Sequence, residues 1–219
     1  MRNSATASLR PTPAATALLA SALGCAFLPG VARAADGPEI VVNGERPADA
    51  NPNADAAAPY KVDKSADGRF TEALRDTPKS ITVIPKEVIQ DQGATSFREL
   101  ARTTPGVTLG TGEGGNAFGD RIFIRGFEAR GDVYIDGQRD PGVSSREIFA
   151  VEQVEIVKGP SSAFMGRGTT GGSVGLESKK AEFGTDFLVG ELTGGTSDMA
   201  RATLDANYDL GGGAALRVN

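Results

Sequence analysis

Residues 200–210 alternate without a break: Ala200, Ala202, Leu204, Ala206, Tyr208 and Leu210 stand against Arg201, Thr203, Asp205, Asn207 and Asp209. A period of two puts each set on its own side of a strand. An apolar face and a fully polar face at this length match a transmembrane β-barrel strand. Gly211, Gly212 and Gly213 then predict a tight turn, and Leu216 and Val218 against Arg217 and Asn219 restart the alternation. A half-buried strand of a soluble sheet is the alternative; the length, the regularity and the short glycine turn favour the barrel.

Upstream the pattern is different. Val151, Val154, Ile156 and Val157 lie among Glu152, Gln153 and Glu155, a β-branched run closed by Gly159-Pro160, and predict a strand. Pro160 suits the first position of a helical turn over residues 160–165, which Gly166 would end in a left-handed conformation. Gly166, Gly168, Gly171 and Gly172 imply tight turns or close approach to another wall of protein. Residues 80–84 alternate as a strand, and Pro85 opens a short helix over residues 86–92. Ser96 with Glu99 forms a capping box ahead of Phe97, Leu100 and Ala101, in a helix stopped by Thr104-Pro105-Gly106. Residues 107–109 read as a strand. Ser144 with Glu147 makes a second capping box before Ile148 and Phe149. Short strands mixed with single short helices predict a compact α+β domain over residues 68–180, followed by strands of another kind over residues 183–219.

Composition narrows the chemistry. The chain has 219 residues, 29 of them Gly, with 6% aromatics and no His. The usual metal ligand and the usual general base are therefore both missing. Residues 1–34 read as a secretory signal: Arg2 and Arg10 form the positive start, residues 14–28 the apolar stretch, and Ala32-Arg33-Ala34 the cleavage site. The apolar stretch is short of the roughly 20 residues that a spanning helix needs. Cleavage would remove Cys25, the single cysteine, and three arginines, leaving 20 basic against 28 acidic residues, a net charge of −8. That balance disfavours nucleic acid, whose phosphates require Lys and Arg. A handled metal must arrive already chelated or bind carboxylates alone.

Residues 35–67 are rich in Ala, Pro, Asn and Asp, and their composition predicts a flexible linker. Within it Glu39, Ile40, Val41, Val42 and Asn43 form a β-prone island that could add to the sheet edge of a partner through main-chain hydrogen bonds. Gly110-Thr-Gly112-Glu-Gly114-Gly115 satisfies G-x-G-x-x-G, but a dinucleotide site needs a helix opening there, and RIFIR follows as a strand. Ser161 and Ser162 have no histidine to activate them. No catalytic residues emerge, and an enzyme is not expected.

VEIVKGPSSAFMGRGTTGG, preceded in order by RIFIRGF (residues 121–127) and DVYIDG (residues 132–137), resembles the plug domain of TonB-dependent outer-membrane receptors. GEGGNAFGDRIFIRGFEARGDVYIDGQRD followed by SREIF is similar to the subgroup that takes up ferric catecholate siderophores. The likeness covers roughly residues 81–180. The resemblance implies an α+β plug, a small mixed sheet with short helices, followed by the first antiparallel strands of a transmembrane β-barrel that is incomplete here. It implies a truncated or partial receptor, sited after signal cleavage in the Gram-negative outer membrane, with lipid around the missing barrel. The β-prone island, Glu39, Ile40, Val41, Val42 and Asn43, takes the place of the TonB box, bound by TonB with its inner-membrane energising complex. Outward loops over residues 112–119, 128–131 and 138–145 would face a ferric siderophore, the transported ligand, with no cofactor held by the protein. Arg130 and Arg139 are the expected anion contacts, Asn116 and Gln138 the expected hydrogen-bond donors. Arg121 and Arg125, read as lying in strands, would anchor plug to barrel. Gly175 departs from the family pattern, which commonly has Asn there, and Glu177 is an added acid. A soluble periplasmic binding or interaction module is the alternative.

Overall fold

The computed structural model describes residues 3–6, 49–55, 57–111, 119–142, 144–165, 169–195 and 199–219. In chain order the elements are β1 (Asn3–Thr6), β2 (Ala54–Asp55), β3 (Ala58–Val62), a 3₁₀ turn (Leu74–Asp76), β4 (Ser80–Pro85), α1 (Lys86–Asp91) and α2 (Phe97–Thr103). Then follow β5 (Val107–Leu109), β6 (Ile122–Ile124), β7 (Phe127–Glu128), β8 (Val133–Ile135), β9 (Gln138–Arg139), β10 (Val151–Lys158) and α3 (Ser162–Met165). The last strands are β11 (Gly172–Ser178), β12 (Phe187–Gly194), β13 (Ala200–Gly211) and β14 (Ala214–Val218).

β10 lies between β4 and β11 in a five-stranded sheet ordered β4-β10-β11-β8-β9, in which only β11 and β8 run parallel. Its apolar side chains Val154, Ile156 and Val157 are buried, and so are Glu152, Gln153 and Glu155 between them. The apolar face joins Phe97, Leu100, Ile122, Ile124, Val133, Ile148, Val174 and Leu176 in one core, each such side chain contributing about 1.5–3 kcal/mol. The polar face is covered by residues 49–67. Asn51 Nδ2 donates to Gln153 Oε1 at 3.2 Å, and the Ala66 amide donates to Glu155 Oε1 at 2.7 Å. Composition predicted a linker over residues 35–67; the described part of it is instead folded onto the sheet. Its Asn, Asp and Ser residues build turns, as where Asn51 Oδ1 accepts the Asn53 amide at 2.8 Å.

Two hairpins fix the neighbouring loops. Arg125-Gly126 between β6 and β7 and Asp136-Gly137 between β8 and β9 have positive φ at both residues (52° and 84°, 48° and 76°). This is the two-residue turn whose twist matches that of the strands it joins. Gly172 is held at φ 139°, and a Cβ there would stand 2.0 Å from the Val157 carbonyl oxygen.

Two capping boxes fail. Ser96 is the N-cap of α2 but its side chain makes no capping bond; Glu99 instead accepts the Thr95 amide at 2.7 Å. No helix follows Ser144: the Arg146 carbonyl takes the Phe97 amide at 3.0 Å, so this loop caps α2. The helical turn expected over residues 160–165 is α3, and Gly166 lies outside the described residues.

β12, β13 and β14 form an antiparallel meander, with β1 along the outer edge of β12. Leu188, Leu192, Leu204, Tyr208, Leu210, Leu216 and Val218 are exposed, Leu192 to 72%, whereas Asp205 and Asn207 on the opposite face are buried, Asp205 to 1% exposure. A soluble sheet does the reverse. An apolar exterior over a polar interior is the pattern of a lipid-facing barrel wall.

Candidate functional site

Three loops meet at one place. The Gly110 amide donates to the Arg121 carbonyl at 2.8 Å, and the Asp120 amide to the Ser144 carbonyl at 3.2 Å, joining the chain on either side of residues 112–118 to the loop after β9. Arg139 Nε donates to the Gly131 carbonyl at 2.5 Å, which ties the third loop in. Arg121 donates to the Thr111 carbonyl at 2.8 Å and to Glu128 Oε1 at 2.9 Å, and Arg130 Nε lies 3.3 Å from the same carboxylate oxygen. The Arg121 guanidinium, with Arg130 beside it, holds the Glu128 carboxyl below the usual carboxylate range. Two guanidiniums on one glutamate, Arg121 and Arg130, with a third, Arg139, on the Gly131 carbonyl next to Arg130, make a surface suited to an anion.

The structure brings together Arg121, Arg130 and Arg139 from the predicted set. Gln138 is not among them: it stands at the Asp136-Gly137 turn, adjacent in β9 to Arg139, and successive strand residues face opposite sides. Asn116 and the island of Glu39, Ile40, Val41, Val42 and Asn43 lie outside the described residues. Neither Arg121 nor Arg125 lies in a strand, contrary to the sequence reading. Arg121 precedes β6 and bonds within its own domain, and Arg125 is exposed on a hairpin turn because the I′ geometry takes it out of the ladder. Among the described residues no group of three or more Asp, Glu, His or Cys side chains is placed to hold a metal.

Sequence reasoning missed a second cluster, at the seam between the sheet domain and the last strands. Asp205 on β13 receives a fork from Arg217 on β14, Nε at 2.9 Å and Nη2 at 2.8 Å, and Lys179 Nζ at 2.7 Å. Arg217 Nη2 also reaches Asp49 Oδ1 at 2.7 Å, and Lys86 Nζ reaches the same oxygen at 2.7 Å. Lys86 closes the cluster on Glu152 at 3.1 Å. Burial pushes the Glu152 carboxyl above its ordinary range, and Lys86 and Arg217 pull it back only in part. Further along the seam Arg201 pairs with Glu147, and Lys179 lies 4.6 Å above the Phe149 ring. The legible signal was the polar face of residues 200–210: carboxylates and arginines turned inward require partners there.

A glycine-looped mixed sheet, packed by buried ion pairs against strands that are apolar outside, defines a stopper seated against the wall of a membrane barrel. Residues 73–173 match the family model described as the TonB-dependent receptor plug domain, and this part of the chain belongs to that family. The siderophore receptor PiuA of Acinetobacter baumannii is 51% identical over 158 residues, which are 72% of this chain and 21% of that protein. Its crystal structure matches with a TM-score of 0.68 over 72% of this chain and 22% of that one. The catecholate siderophore receptor Fiu of Escherichia coli is 37% identical over 184 residues, 82% of this chain and 24% of that protein. The closed form of Fiu gives a TM-score of 0.67 over 72% of this chain and 22% of that one. The chain thus spans about a fifth of the length of these relatives. These relatives are named as receptors, not enzymes.

Proposed function

We propose that this chain is the N-terminal part of a TonB-dependent receptor that takes up ferric siderophores, catecholates in particular, across the Gram-negative outer membrane. The observation that carries this reading is the meeting of Arg121, Arg130 and Arg139 on three loops of a plug. Ferric catecholates are strongly anionic, and the relative Fiu is named for them. Arg130 and Arg139 contact the ligand, with Asn116 as a further donor and Arg121 holding Glu128 beside them, while Arg125 meets the barrel wall. After removal of residues 1–34, the segment from Glu39 to Asn43 serves as the TonB box, an extended strand that pairs with TonB in the periplasm. The exposed apolar face of β12, β13 and β14 weighs against a soluble periplasmic module.

The test is growth of a receptor-deficient Gram-negative strain, supplied with the full-length receptor, on the iron(III) complex of 2,3-dihydroxybenzoate as sole iron source. Growth that requires both the receptor and TonB is expected. Growth equal to that of the empty strain contradicts the reading.

A further inference from the structure

The described residues of 140–146 contain no helix, and no strand beyond the isolated bridge that follows at Glu147, yet they lie beside the arginine-bearing loops. One side chain organises them. The Arg146 guanidinium is buried, 4% exposed, with Nε 3.0 Å and Nη2 2.9 Å from Asp140 Oδ2. Nη2 also donates to the Gly142 carbonyl at 2.8 Å and the Asp140 carbonyl at 3.3 Å, and Nη1 to the Ser144 carbonyl at 3.3 Å. The same residue reaches the neighbouring loop, since its amide donates to Asp120 Oδ2 at 2.9 Å and Nη1 lies 3.6 Å from that oxygen. Asp120 is fully buried, and its own amide returns to Ser144. Finally the Arg146 carbonyl accepts the Phe97 amide at the start of α2.

We infer that Arg146 is a positioning residue: its guanidinium holds Asp140, Gly142, Ser144 and Asp120 as one rigid edge, and so sets where Arg139, next to Asp140, presents its charge. This rests on the reading of the three loops as the ligand floor. A guanidinium offers five donors in a fixed plane, whereas an ammonium offers three from a single point, so lysine keeps the charge and loses the fork. The carbonyls of Asp140, Gly142 and Ser144 would then lack a common partner, and the loop would sample other shapes. Arg146 itself is buried.

The experiment uses the full-length receptor and equilibrium dialysis of the radiolabelled iron(III) complex of 2,3-dihydroxybenzoate. Arg139→Ala and Arg130→Ala each remove a proposed ligand contact, and Arg146→Lys removes the support. Displacement of Arg139 predicts roughly tenfold weaker binding for Arg146→Lys, the size of one charge-assisted bond to the ligand, in a receptor that still unfolds cooperatively on heating. Because Arg146 acts through Arg139, the double variant Arg146→Lys with Arg139→Ala binds no more weakly than the poorer single variant. Should Arg146→Lys fail to reach the membrane, Asp140→Asn removes the carboxylate charge that the Arg146 guanidinium pairs with and carries the same expectation. Weaker binding by Arg130→Ala and Arg139→Ala, with wild-type binding by Arg146→Lys or Asp140→Asn, overturns the inference and leaves the ligand floor in place. Fully additive losses overturn it as well. Wild-type binding by Arg130→Ala and Arg139→Ala removes the ligand floor itself, and the inference with it.

Discussion

Arg217 Nη2 lies 2.7 Å from Asp49 Oδ1, a contact between residues 168 positions apart in the chain. Asp49 is also bound by Lys86, so one carboxylate oxygen joins the segment leading into the plug, the plug itself at α1, and the strand wall at β14. It stands six positions after Asn43, the end of the proposed TonB box. Among the described residues, a pull on that box meets Asp49 first.

Asp49→Ala strands two cations that are each 3% exposed, although Glu152 and Asp205 still hold them. Breaking a buried pair from one side costs about 3 kcal/mol. The expected outcome is that amides of β2 and β3 exchange faster, by a local opening energy lower by about 3 kcal/mol, while β10 is unchanged. Hydrogen exchange on the full-length receptor measures this.

Gly172 allows no side chain. With φ at 139° and a Cβ position 2.0 Å from the Val157 carbonyl, Gly172→Ala must separate β10 from β11 at the end where Lys158 pairs with Gly172. The plug is expected to lose more than about 3 kcal/mol, the range of overpacking and strain combined. Limited proteolysis of the receptor would then cut within residues 151–178, which the wild type protects.

Glu177 is buried on β11, and burial, with Glu155, Asp67 and Asp136 nearby, pushes its carboxyl from 4.5 up to about 7. The native state therefore holds a proton that the unfolded chain has released between pH 4.5 and about 7. Stability from this group is fully present below pH 4.5 and is lost as pH rises through about 7. Glu177→Gln removes that loss. Denaturant unfolding, followed at a fluorescent label on the Asp136-Gly137 turn, is expected to show the variant gaining on the wild type as pH goes from 5 toward about 7. An equal difference at all pH values contradicts the assignment.

What could be read from sequence follows from the range over which each feature is encoded. β13 is written in its own eleven-residue alternation and was legible, whereas the I′ turn at Arg125-Gly126 was missed because Arg125 was read as lying in a strand. The capping pattern at Ser144 and Glu147 was misleading because the local match competes with Arg146, whose guanidinium bonds Asp140 and the Gly142 and Ser144 carbonyls instead. Residues 49–67 looked like linker since the same Asn, Asp and Ser residues serve solvated chain and tight turns alike; only Gln153 and Glu155, about 90 to 100 positions away, decide between them. The seam of Asp49, Lys86, Glu152, Lys179, Asp205 and Arg217 was out of reach for the same reason. Inward charge on β13 and β14 was visible, but not which partners would meet it.

Uptake of radiolabelled iron supplied as its 2,3-dihydroxybenzoate complex, by cells carrying the full-length receptor with and without Val41→Pro, tests most directly whether this plug is worked by TonB. Proline removes a main-chain donor and disfavours strand pairing. Binding of the complex at wild-type level together with loss of uptake is the expected result. Wild-type uptake by Val41→Pro would contradict it.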